Sequence, residues 1–262
     1  MAFSLKGVAY ITGAGSGIGQ YAAYSMARQG VRSFALLDRN PVTQTVQHLK
    51  KTYPDVKIKE IEMDVGNEAA VNDSVEQTVK EFGRLDYALN NAGIGGALDT
   101  TDKIEKEDFE RVMNVNMMGV WLCQRAQIRQ MLKQAKWSDS YRAYRGSIVN
   151  TASMYGKVGP TLPATAYCTS KHAVVGLSKA DAIQMGPRGI KINALCPGYV
   201  LTPLVQSTMN KGSVMDDERA KVPIQRFASM EEIGDIVAFL HSDASSYIVG
   251  SSLVADGGFT IA

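Results

Sequence analysis

The sequence predicts an α/β fold in which a doubly wound, seven-stranded parallel sheet carries helices on both faces. Short β-rich runs alternate with longer helical patterns over the whole chain, as expected for right-handed βαβ units. The helical patterns end in turn-forming residues, among them Gly30, Tyr53-Pro54 and Gly186-Pro187-Arg188-Gly189. These observations together indicate a parallel sheet that is covered on both faces.

The predicted elements follow in order along the chain. The first strand, at 8–12, is the apolar run Val8-Ala9-Tyr10-Ile11-Thr12, and six further β-rich runs give strands at 33–37, 57–63, 86–90, 147–151, 190–195 and 253–255. The helical patterns between them lie at 17–28, 43–51, 68–82, about 109–133, 164–185 and 230–241.

Length and composition predict one domain over residues 1–262. A chain of 262 residues with 45% apolar residues is long enough to bury a large core. Its sequence contains no internal repeat, low-complexity tract or linker that would mark a boundary.

Charge and composition argue against several classes of partner. A formal net charge of +2 is too small for a strong cationic field, so we expect no nucleic acid. No stretch reaches the roughly 20 apolar residues that span a bilayer, and the N-terminal run is better explained as a strand than as a signal region. We therefore expect neither a membrane association nor an export signal.

Cysteine and histidine usage predicts a cytoplasmic protein without a metal. The odd number of cysteines, without paired spacing, makes a structural disulfide or zinc site improbable and fits a reducing compartment; they are Cys123, Cys168 and Cys196. The three histidines share no ligand-like spacing; they are His48, His172 and His241.

A glycine-rich segment, Gly13-Ala14-Gly15-Ser16-Gly17-Ile18-Gly19, follows the first predicted strand and opens a helix. By itself such a pattern also describes a flexible turn, but the strand before it and the helix after it indicate a dinucleotide site. Gly13 permits a tight turn, Gly17 lets the backbone approach a pyrophosphate, and Gly19 allows the helix to pack close to its strand. The helix terminus then presents free N–H groups to the anion.

Asp38, at the end of the second predicted strand, indicates a preference for NAD over NADP. It lies nineteen residues after Gly19, where a carboxylate accepts hydrogen bonds from the adenosine ribose hydroxyls. The same charge repels a 2′-phosphate. Arg39 leaves NADP open, because a guanidinium pairs with such a phosphate if the carboxylate turns away.

The chain resembles the short-chain dehydrogenase/reductase family, of the compact single-domain type, over nearly its whole length. The resemblance is carried by these pieces in family-like order: Thr12-Gly13-Ala14-Gly15-Ser16-Gly17-Ile18-Gly19, Asp64-Val65, Asn90-Asn91-Ala92-Gly93, Asn116, Ser153, Tyr167-Cys168-Thr169-Ser170-Lys171, Pro197-Gly198 and Asp256-Gly257-Gly258. It implies a Rossmann fold with strand order 3-2-1-4-5-6-7 and an NAD(P)-dependent oxidoreductase acting on a ketone/secondary alcohol pair.

Four residues are the expected catalytic set. A tyrosine and a lysine at helical spacing are in isolation typical of a surface helix, but hydride transfer needs a group that gives or takes the hydroxyl proton. Tyr167 is assigned that role, and the cation of Lys171, four residues on, is expected to lower its pKa, as is the charge of the oxidised nicotinamide. Ser153 would hold the substrate oxygen. By resemblance, Lys171 also bonds the nicotinamide ribose, and Asn116 anchors a water that relays protons.

The remaining expected contacts are with the cofactor. By resemblance, Asp64 accepts from the adenine amino group, residues 90–93 pass the adenosine ribose and brace the central strands, and the stretch from Pro197 closes over the nicotinamide amide. The full expected cofactor set is Gly13, Ser16, Gly17, Ile18, Gly19, Asp38, Arg39, Asp64, Val65, Asn90, Asn91, Ala92, Gly93, Tyr167, Lys171, Pro197, Gly198, Val200 and Thr202.

The segment 199–227 is interpreted as a substrate lid. It has no settled periodicity and carries apolar residues among polar ones, which suits a mobile lid with an apolar inner side but also ordinary helix packing; they are Leu201, Leu204, Val205, Met209, Val214 and Met215. Possible pocket walls are Ile94, Gly95, Gly96, Met154, Tyr155, Val158 and Leu162. A medium or large, mostly apolar ketone or secondary alcohol is expected.

Three further expectations remain open. Residues 134–145 either extend a helix or form a surface loop near a subunit contact. By resemblance, the helices around Asn116 and Tyr167 pair across a two-fold axis, which predicts a homotetramer with a dimer as the alternative. A lyase, epimerase or dehydratase with a retained cofactor is the alternative function, and a non-catalytic dinucleotide sensor is a third.

Overall fold

The computed structural model of the chain describes residues 3–160, 162–203, 205–206 and 214–262. Within these residues seven parallel strands form one sheet in the order β3-β2-β1-β4-β5-β6-β7. The strands are β1 (Val8–Thr12), β2 (Ser33–Asp38), β3 (Lys57–Glu62), β4 (Tyr87–Asn90), β5 (Gly146–Thr151), β6 (Ile190–Pro197) and β7 (Ser252–Ala255). Fold class and strand order are confirmed.

Helices connect these strands and cover the sheet. They are α1 (Gly17–Arg28), α2 (Thr43–Thr52), α3 (Glu68–Phe82), α4 (Lys106–Met113), α5 (Gly119–Met131), α6 (Thr165–Met185), α7 (Val214–Ala220) and α8 (Met230–His241). Short 3₁₀ turns lie at Thr101–Lys103, Met154–Gly156, Gly186–Arg188, Asp243–Ser245 and Phe259–Ile261. None of the helices in the described ranges is long and apolar enough to cross a membrane.

Two predicted segments differ in detail from the structure. The helix expected over about 109–133 begins earlier and is interrupted by a π-turn at Asn114–Met118, which joins α4 to α5. Residues 134–145 form turns and bends rather than an extension of α5. Gln134 anchors this loop, since its side chain accepts a hydrogen bond from Leu85 N (2.9 Å) and donates to Leu85 O (2.9 Å).

The sheet alternates its side chains between two cores, as the two-residue period of a strand requires. In β1, Ile11 joins the core beneath α1 and α8, whereas Tyr10 joins the core beneath α3 and α5. Both side chains are fully buried. Truncation of Ile11 to alanine would cost about 2–5 kcal/mol of stability, the usual range for a buried aliphatic residue.

A buried amide network fixes the carboxyl ends of β4 and β5. Asn90 Nδ2 donates to Asn150 Oδ1 across the strands at 2.9 Å, and Gln127 of α5 exchanges two hydrogen bonds with Asn90. Asn150 Nδ2 also reaches Gln124 Oε1 (2.6 Å) and Ser178 Oγ of α6 (2.9 Å). Because a buried amide without partners is costly, this network specifies how α5 and α6 sit on the sheet. One of its strands, β4, is the neighbour of β1 at the point where the strand order reverses.

Candidate active site

A cleft of about 340 Å³ opens at the carboxyl ends of the strands, on either side of the β1/β4 junction. Ligands of open parallel sheets bind at this reversal of strand order. Of the expected site residues the cleft is lined by Gly13, Ser16, Gly17, Ile18, Asp38, Arg39, Asp64, Val65, Asn91, Ala92, Gly93, Ser153, Tyr167, Lys171, Pro197, Gly198, Val200 and Thr202. Gly19, Asn90 and Asn116 do not line it and lie behind its walls.

The turn between β1 and α1 presents backbone to the cleft. Gly17 has a φ of +59°, a conformation that side chains disfavour. A Cβ on Gly19 would lie 2.2 Å from Gly13 O, so the helix approaches the end of its strand as closely as backbone allows. The first turn of α1 contains no acidic residue, and the side chain of Ser16 makes no cap hydrogen bond. The free N–H groups at the start of α1 and the positive end of the helix dipole therefore form an anion site.

Asp38 is held in a fixed orientation at the end of β2. Its Oδ2 accepts a hydrogen bond from Gly15 N (3.0 Å), and its Oδ1 accepts from Asn40 N (2.9 Å). The carboxylate is thus tied to the glycine turn on one side and to its own loop on the other. Arg39 is exposed and lines the same part of the cleft.

Thr12 organises the opposite wall, although it was not among the expected site residues. Its buried hydroxyl accepts hydrogen bonds from Asn91 N (3.0 Å) and Ala92 N (3.1 Å), which fixes the chain after β4. Asn91 Nδ2 in turn donates to Gly13 O (3.3 Å). The position of Thr12 at the last residue of β1 is the signal that could have identified it.

Tyr167 and Lys171 lie one turn apart on α6 and both face the cleft. Lys171 is only 4% exposed, and its Nζ donates to Thr151 O at 2.8 Å. The ammonium nitrogen lies 5.5 Å from the centre of the Tyr167 ring. Burial lowers the pKa of Lys171 to about 8, with Cys196 opposing the shift. The position of Lys171 is therefore set by a backbone carbonyl at the end of β5.

The protein alone raises the pKa of Tyr167, contrary to the expectation that Lys171 lowers it. Burial is the largest cause, a hydrogen bond with the Ser153 side chain opposes it, and nearby Tyr155 adds to it. The Lys171 ammonium is itself buried and is directed at Thr151 O. The phenol is consequently protonated at neutral pH.

Ser153 follows β5 and begins the 3₁₀ turn Met154–Gly156. Its Oγ accepts a hydrogen bond from Tyr155 N at 3.1 Å, which fixes the hydroxyl at the base of the cleft. Ser153 is 6% exposed and lies beside Tyr167. The serine and the tyrosine are thereby positioned to contact the same small group.

Asn116 lies in the π-turn and is completely buried. Its Oδ1 accepts from Ile94 N (2.8 Å), and its Nδ2 donates to Ile94 O (2.9 Å) and Ser170 Oγ (3.1 Å). A Cβ on Gly93 would lie 3.2 Å from Asn116 Oδ1 and 3.6 Å from Lys171 Nζ. The missing side chain of Gly93 thus leaves a small space between the amide and the ammonium.

A second cavity of about 570 Å³ continues from the cleft. The two share Ile94, Ser153, Tyr167, Gly198 and Val205. The expected walls Gly95, Gly96, Met154, Tyr155 and Leu162 line the second cavity, together with Leu98, Arg111, Tyr199 and Met215, but Val158 does not. In the expected lid, Leu204, Met209 and the side chain of Val214 lie outside the described residues. Tyr167 therefore stands between a polar cleft and a largely apolar chamber.

Comparisons with known proteins agree with this geometry. A family model described as enoyl-(acyl carrier protein) reductase matches residues 13–260. Short-chain dehydrogenase anuF of Penicillium roqueforti is 36% identical over 272 residues, covering 100% of this chain and 98% of the relative. Cyclohexanol dehydrogenase of an Acinetobacter species is 36% identical over 265 residues, covering 97% of this chain and 94% of the relative.

Solved structures are equally similar. The crystal structure of levodione reductase superposes with a TM-score of 0.90 at 32% identity, covering 98% of each chain. An NAD⁺-bound xylitol dehydrogenase gives 0.84 at 32% identity, covering 96% of this chain and 98% of the other. A protein from Agrobacterium tumefaciens described as a 2-deoxy-D-gluconate 3-dehydrogenase, with bound NADP, gives a TM-score of 0.86 at 27% identity, covering 99% of each chain.

Proposed function

The chain belongs to the short-chain dehydrogenase/reductase family, and on that basis we propose that Tyr167 is the general acid/base of its hydride-transfer reaction. It is an oxidoreductase that acts on CH–OH and C=O groups of a small molecule and uses a nicotinamide cofactor. The observation that carries the assignment of Tyr167 is its position between the two cavities, beside Ser153 and one turn from Lys171.

The cofactor fits the residues of the cleft. The N–H groups of α1 and the unhindered backbone at Gly17 suit its pyrophosphate, and the fixed carboxylate of Asp38 suits the adenosine ribose. When bound, the nicotinamide supplies or accepts the hydride.

The chain's own residues handle the proton. In the direction of reduction, Tyr167 donates its phenolic proton to the substrate oxygen while the Ser153 hydroxyl holds that oxygen and stabilises its developing charge. The raised pKa of Tyr167 keeps this proton in place at neutral pH. Lys171 stabilises the phenolate that results, and the space between Lys171 Nζ and Asn116 Oδ1 is the route by which we propose a water re-protonates it.

A substitution of Tyr167 tests this proposal. Tyr167→Phe removes the proton donor and keeps the ring, so we expect turnover to fall by about 10²–10⁴-fold with cofactor affinity unchanged. Activity is read as absorbance at 340 nm in a screen of ketones and secondary alcohols with both cofactors, and affinity as the fluorescence of bound NADH. Turnover near that of the unmodified enzyme would remove Tyr167 from the mechanism, and stoichiometric product without a net 340 nm change would favour the lyase, epimerase or dehydratase alternative.

NAD is the proposed preferred cofactor. The support is the carboxylate of Asp38, held in the cleft by two backbone N–H groups where a 2′-phosphate would bring a second negative charge. The proposed substrate is a medium or large, mostly apolar ketone or alcohol, because the second cavity combines about 570 Å³ with mainly apolar walls.

We further propose that residues 1–262 form one domain, that the segment 199–227 covers the substrate, and that the protein is a cytoplasmic homotetramer. The free thiols of Cys123, Cys168 and Cys196 suit a reducing compartment. Exposed apolar side chains on α6 and near β7, at Ile183 and Val254, suit a contact between copies. Light scattering tests the assembly: a tetramer has four times the 28.4 kDa of the chain.

A further inference from the structure

Three hydrogen-bonded side chains adjoin the second cavity, and two of them form part of its wall. Tyr155 and Tyr199 both line this cavity, and their hydroxyl oxygens lie 2.6 Å apart. Tyr199 Oη also donates to Glu218 Oε2 of α7 at 2.9 Å. Glu218 is 2% exposed although it is charged, and its other oxygen pairs with Lys221 Nζ. Burying a carboxylate costs desolvation free energy, so the hydrogen bonds that Glu218 makes must compensate for that cost.

The donors and acceptors along this chain have only one consistent direction. A phenol carries a single proton, and Tyr199 uses its proton on Glu218. The proton shared between the two phenols must therefore belong to Tyr155, which donates to Tyr199. The carboxylate of Glu218 thus orients two phenol hydroxyls in succession, that of Tyr199 directly and that of Tyr155 through Tyr199.

The rings of Tyr155 and Tyr199 are also fixed by aromatic packing. Tyr199 packs against Phe227 at 5.1 Å and edge-on against Phe259 at 5.9 Å between ring centres. Tyr155 meets Tyr199 edge-on at 6.3 Å. These ring contacts restrict the positions of the two aromatic rings, and the hydrogen-bond chain fixes their hydroxyl ends.

The wall is joined to the catalytic centre through the backbone. Tyr155 lies two residues after Ser153, whose Oγ accepts the hydrogen bond from Tyr155 N. Tyr155 and Tyr167 line the same cavity. A displacement of the Tyr155 ring therefore changes the space next to the proton donor.

We propose that Glu218 is a positioning residue that sets the size selectivity of this enzyme by locking Tyr155 and Tyr199 in place. The inference rests on the proposed function, since it takes the second cavity as the substrate site. The locked wall sets the upper size limit of the substrate: among apolar ketones, the cavity favours those that fit against the fixed rings over those that carry an additional bulky group. Without Glu218, Tyr199 loses the acceptor that orients its hydroxyl, and the orientation of Tyr155, which donates to Tyr199, is no longer fixed through it.

Three variants and a matched control test the proposal. Glu218→Ala removes the acceptor, Tyr199→Phe breaks the chain but keeps the ring packing, and Glu218→Gln keeps an oxygen that accepts from Tyr199. The control is Asp216→Asn, which removes an exposed carboxylate from the same helix, where it pairs only weakly with Arg219 at 3.2 Å. The probes are cyclohexanone and 4-tert-butylcyclohexanone, each titrated with saturating reduced cofactor.

The expected signature is a change in KM rather than in kcat. We expect Glu218→Ala and Tyr199→Phe to reduce the kcat/KM preference for cyclohexanone by about tenfold, the effect of one lost buried hydrogen bond, with kcat changed by less than about threefold. Glu218→Gln should restore most of the preference, and Asp216→Asn should leave it unchanged. Hydrogen–deuterium exchange should be faster in residues 214–222 of Glu218→Ala than in the control.

The outcomes separate this inference from the proposed function. An unmodified enzyme that reduces neither ketone would contradict the proposed substrate class, whereas the exchange measurement still tests whether Glu218 locks the wall. An active enzyme whose preference and exchange are the same in Glu218→Ala, Tyr199→Phe and the control would overturn the inference.

Discussion

At the scale of single residues, function and stability oppose each other at Lys171. Its ammonium is buried, and its pKa falls from 10.5 to about 8 in the folded protein. In this pH range the unfolded chain binds more protons than the folded one, so stability rises with pH between about 8 and 10.5. Below pH 8 the buried charge destabilises the fold by about 3 kcal/mol, which the hydrogen bond to Thr151 O offsets in part.

The variant Lys171→Met should reveal this burden. At pH 7 the variant lacks the buried charge and should be more stable than the unmodified protein. As the pH rises to 10.5, Lys171 of the unmodified protein loses its proton and that protein becomes more stable. The difference in free energy of unfolding, variant minus unmodified protein, should therefore fall by about 3 kcal/mol between the two pH values. Urea unfolding at the two pH values measures the difference. Catalytic activity of Lys171→Met should be largely lost at both.

Lys191 provides the matched control for this experiment. It is equally buried, and burial also lowers its pKa to about 8, but it lies outside the cleft and donates to Ser242 O and Ser245 Oγ. Lys191→Met should show the same pH-dependent stability difference and keep its activity. A Lys171→Met variant whose stability difference does not change with pH would contradict the assignment of the lowered pKa.

The residue scale also shows what spacing alone could predict. Tyr167 and Lys171 are four residues apart, and that spacing with the motif around it predicted that both face one site. Lys171 Nζ is held by a backbone carbonyl, Thr151 O, which any residue at position 151 would supply. This contact therefore depends on the placement of β5 beside α6 and could not be predicted from the residue type. The direction of the pKa shift of Tyr167 depends on burial, which a sequence does not specify.

At the scale of elements, α1 depends on Gly19 for its position against β1. A Cβ at this residue would meet Gly13 O at 2.2 Å, and backbone cannot give way as a flexible side chain does. We expect Gly19→Ala to destabilise the protein by about 1–3 kcal/mol and to abolish NADH binding, because the helix terminus moves away from the pyrophosphate site. Urea unfolding and NADH fluorescence measure the two effects.

Gly176 of α6 is the control for that substitution. A Cβ there meets nothing within 4 Å, and the residue is exposed. Gly176→Ala should therefore stabilise the protein by about 0.5–1 kcal/mol through the helix preference of alanine, with NADH binding unchanged. Wild-type NADH affinity in Gly19→Ala would show that the close approach of α1 to β1 is not required for the site.

The π-turn at Asn114–Met118 is the element that the sequence predicted least well. A periodicity of 3.6 residues describes α4 and α5 separately but does not mark the wider turn between them. The turn brings Asn116 inward, where Ile94 and Ser170 satisfy its amide. Its position therefore depends on contacts between distant segments, whereas the strands, which are short β-rich runs, were predicted to within two residues.

At the scale of the whole molecule, the site is an assembly of strand ends. The chain after each of the strands β1 to β6 contributes to one cleft, and the amide network ties β4 to β5 and to α5. Most of the motifs that predicted the cleft follow a strand, whereas Tyr167 and Lys171 lie on α6. Tyr155 was predicted as a cavity wall, but its hydrogen-bond chain with Tyr199 and Glu218 was not, since that chain joins segments without any shared pattern.

A ligand that bridges both halves of the sheet should stabilise the whole fold. A cofactor that binds only the native state adds about 2.7 kcal/mol at a concentration one hundred times its Kd, which raises the Tm of a protein of this size by several degrees. Because Asp38 lines the end of the cleft where we propose that the adenosine binds, we expect NAD to raise the Tm more than NADP at equal concentration. Differential scanning calorimetry with each cofactor measures this directly.

Asp38→Ala should narrow or reverse the difference between the Tm increases that NAD and NADP produce. The substitution removes the charge that repels a 2′-phosphate and leaves Arg39 in place to pair with it. Asp64→Asn is the control, since it also removes a carboxylate from the cleft. The Oδ1 of Asp64 accepts a hydrogen bond from Gly66 N, and the residue is expected to contact the adenine rather than the ribose. The control variant's ratio of NAD to NADP stabilisation should match that of the unmodified protein. A larger Tm increase with NADP than with NAD in the unmodified protein would show that Arg39, rather than Asp38, governs recognition of the ribose.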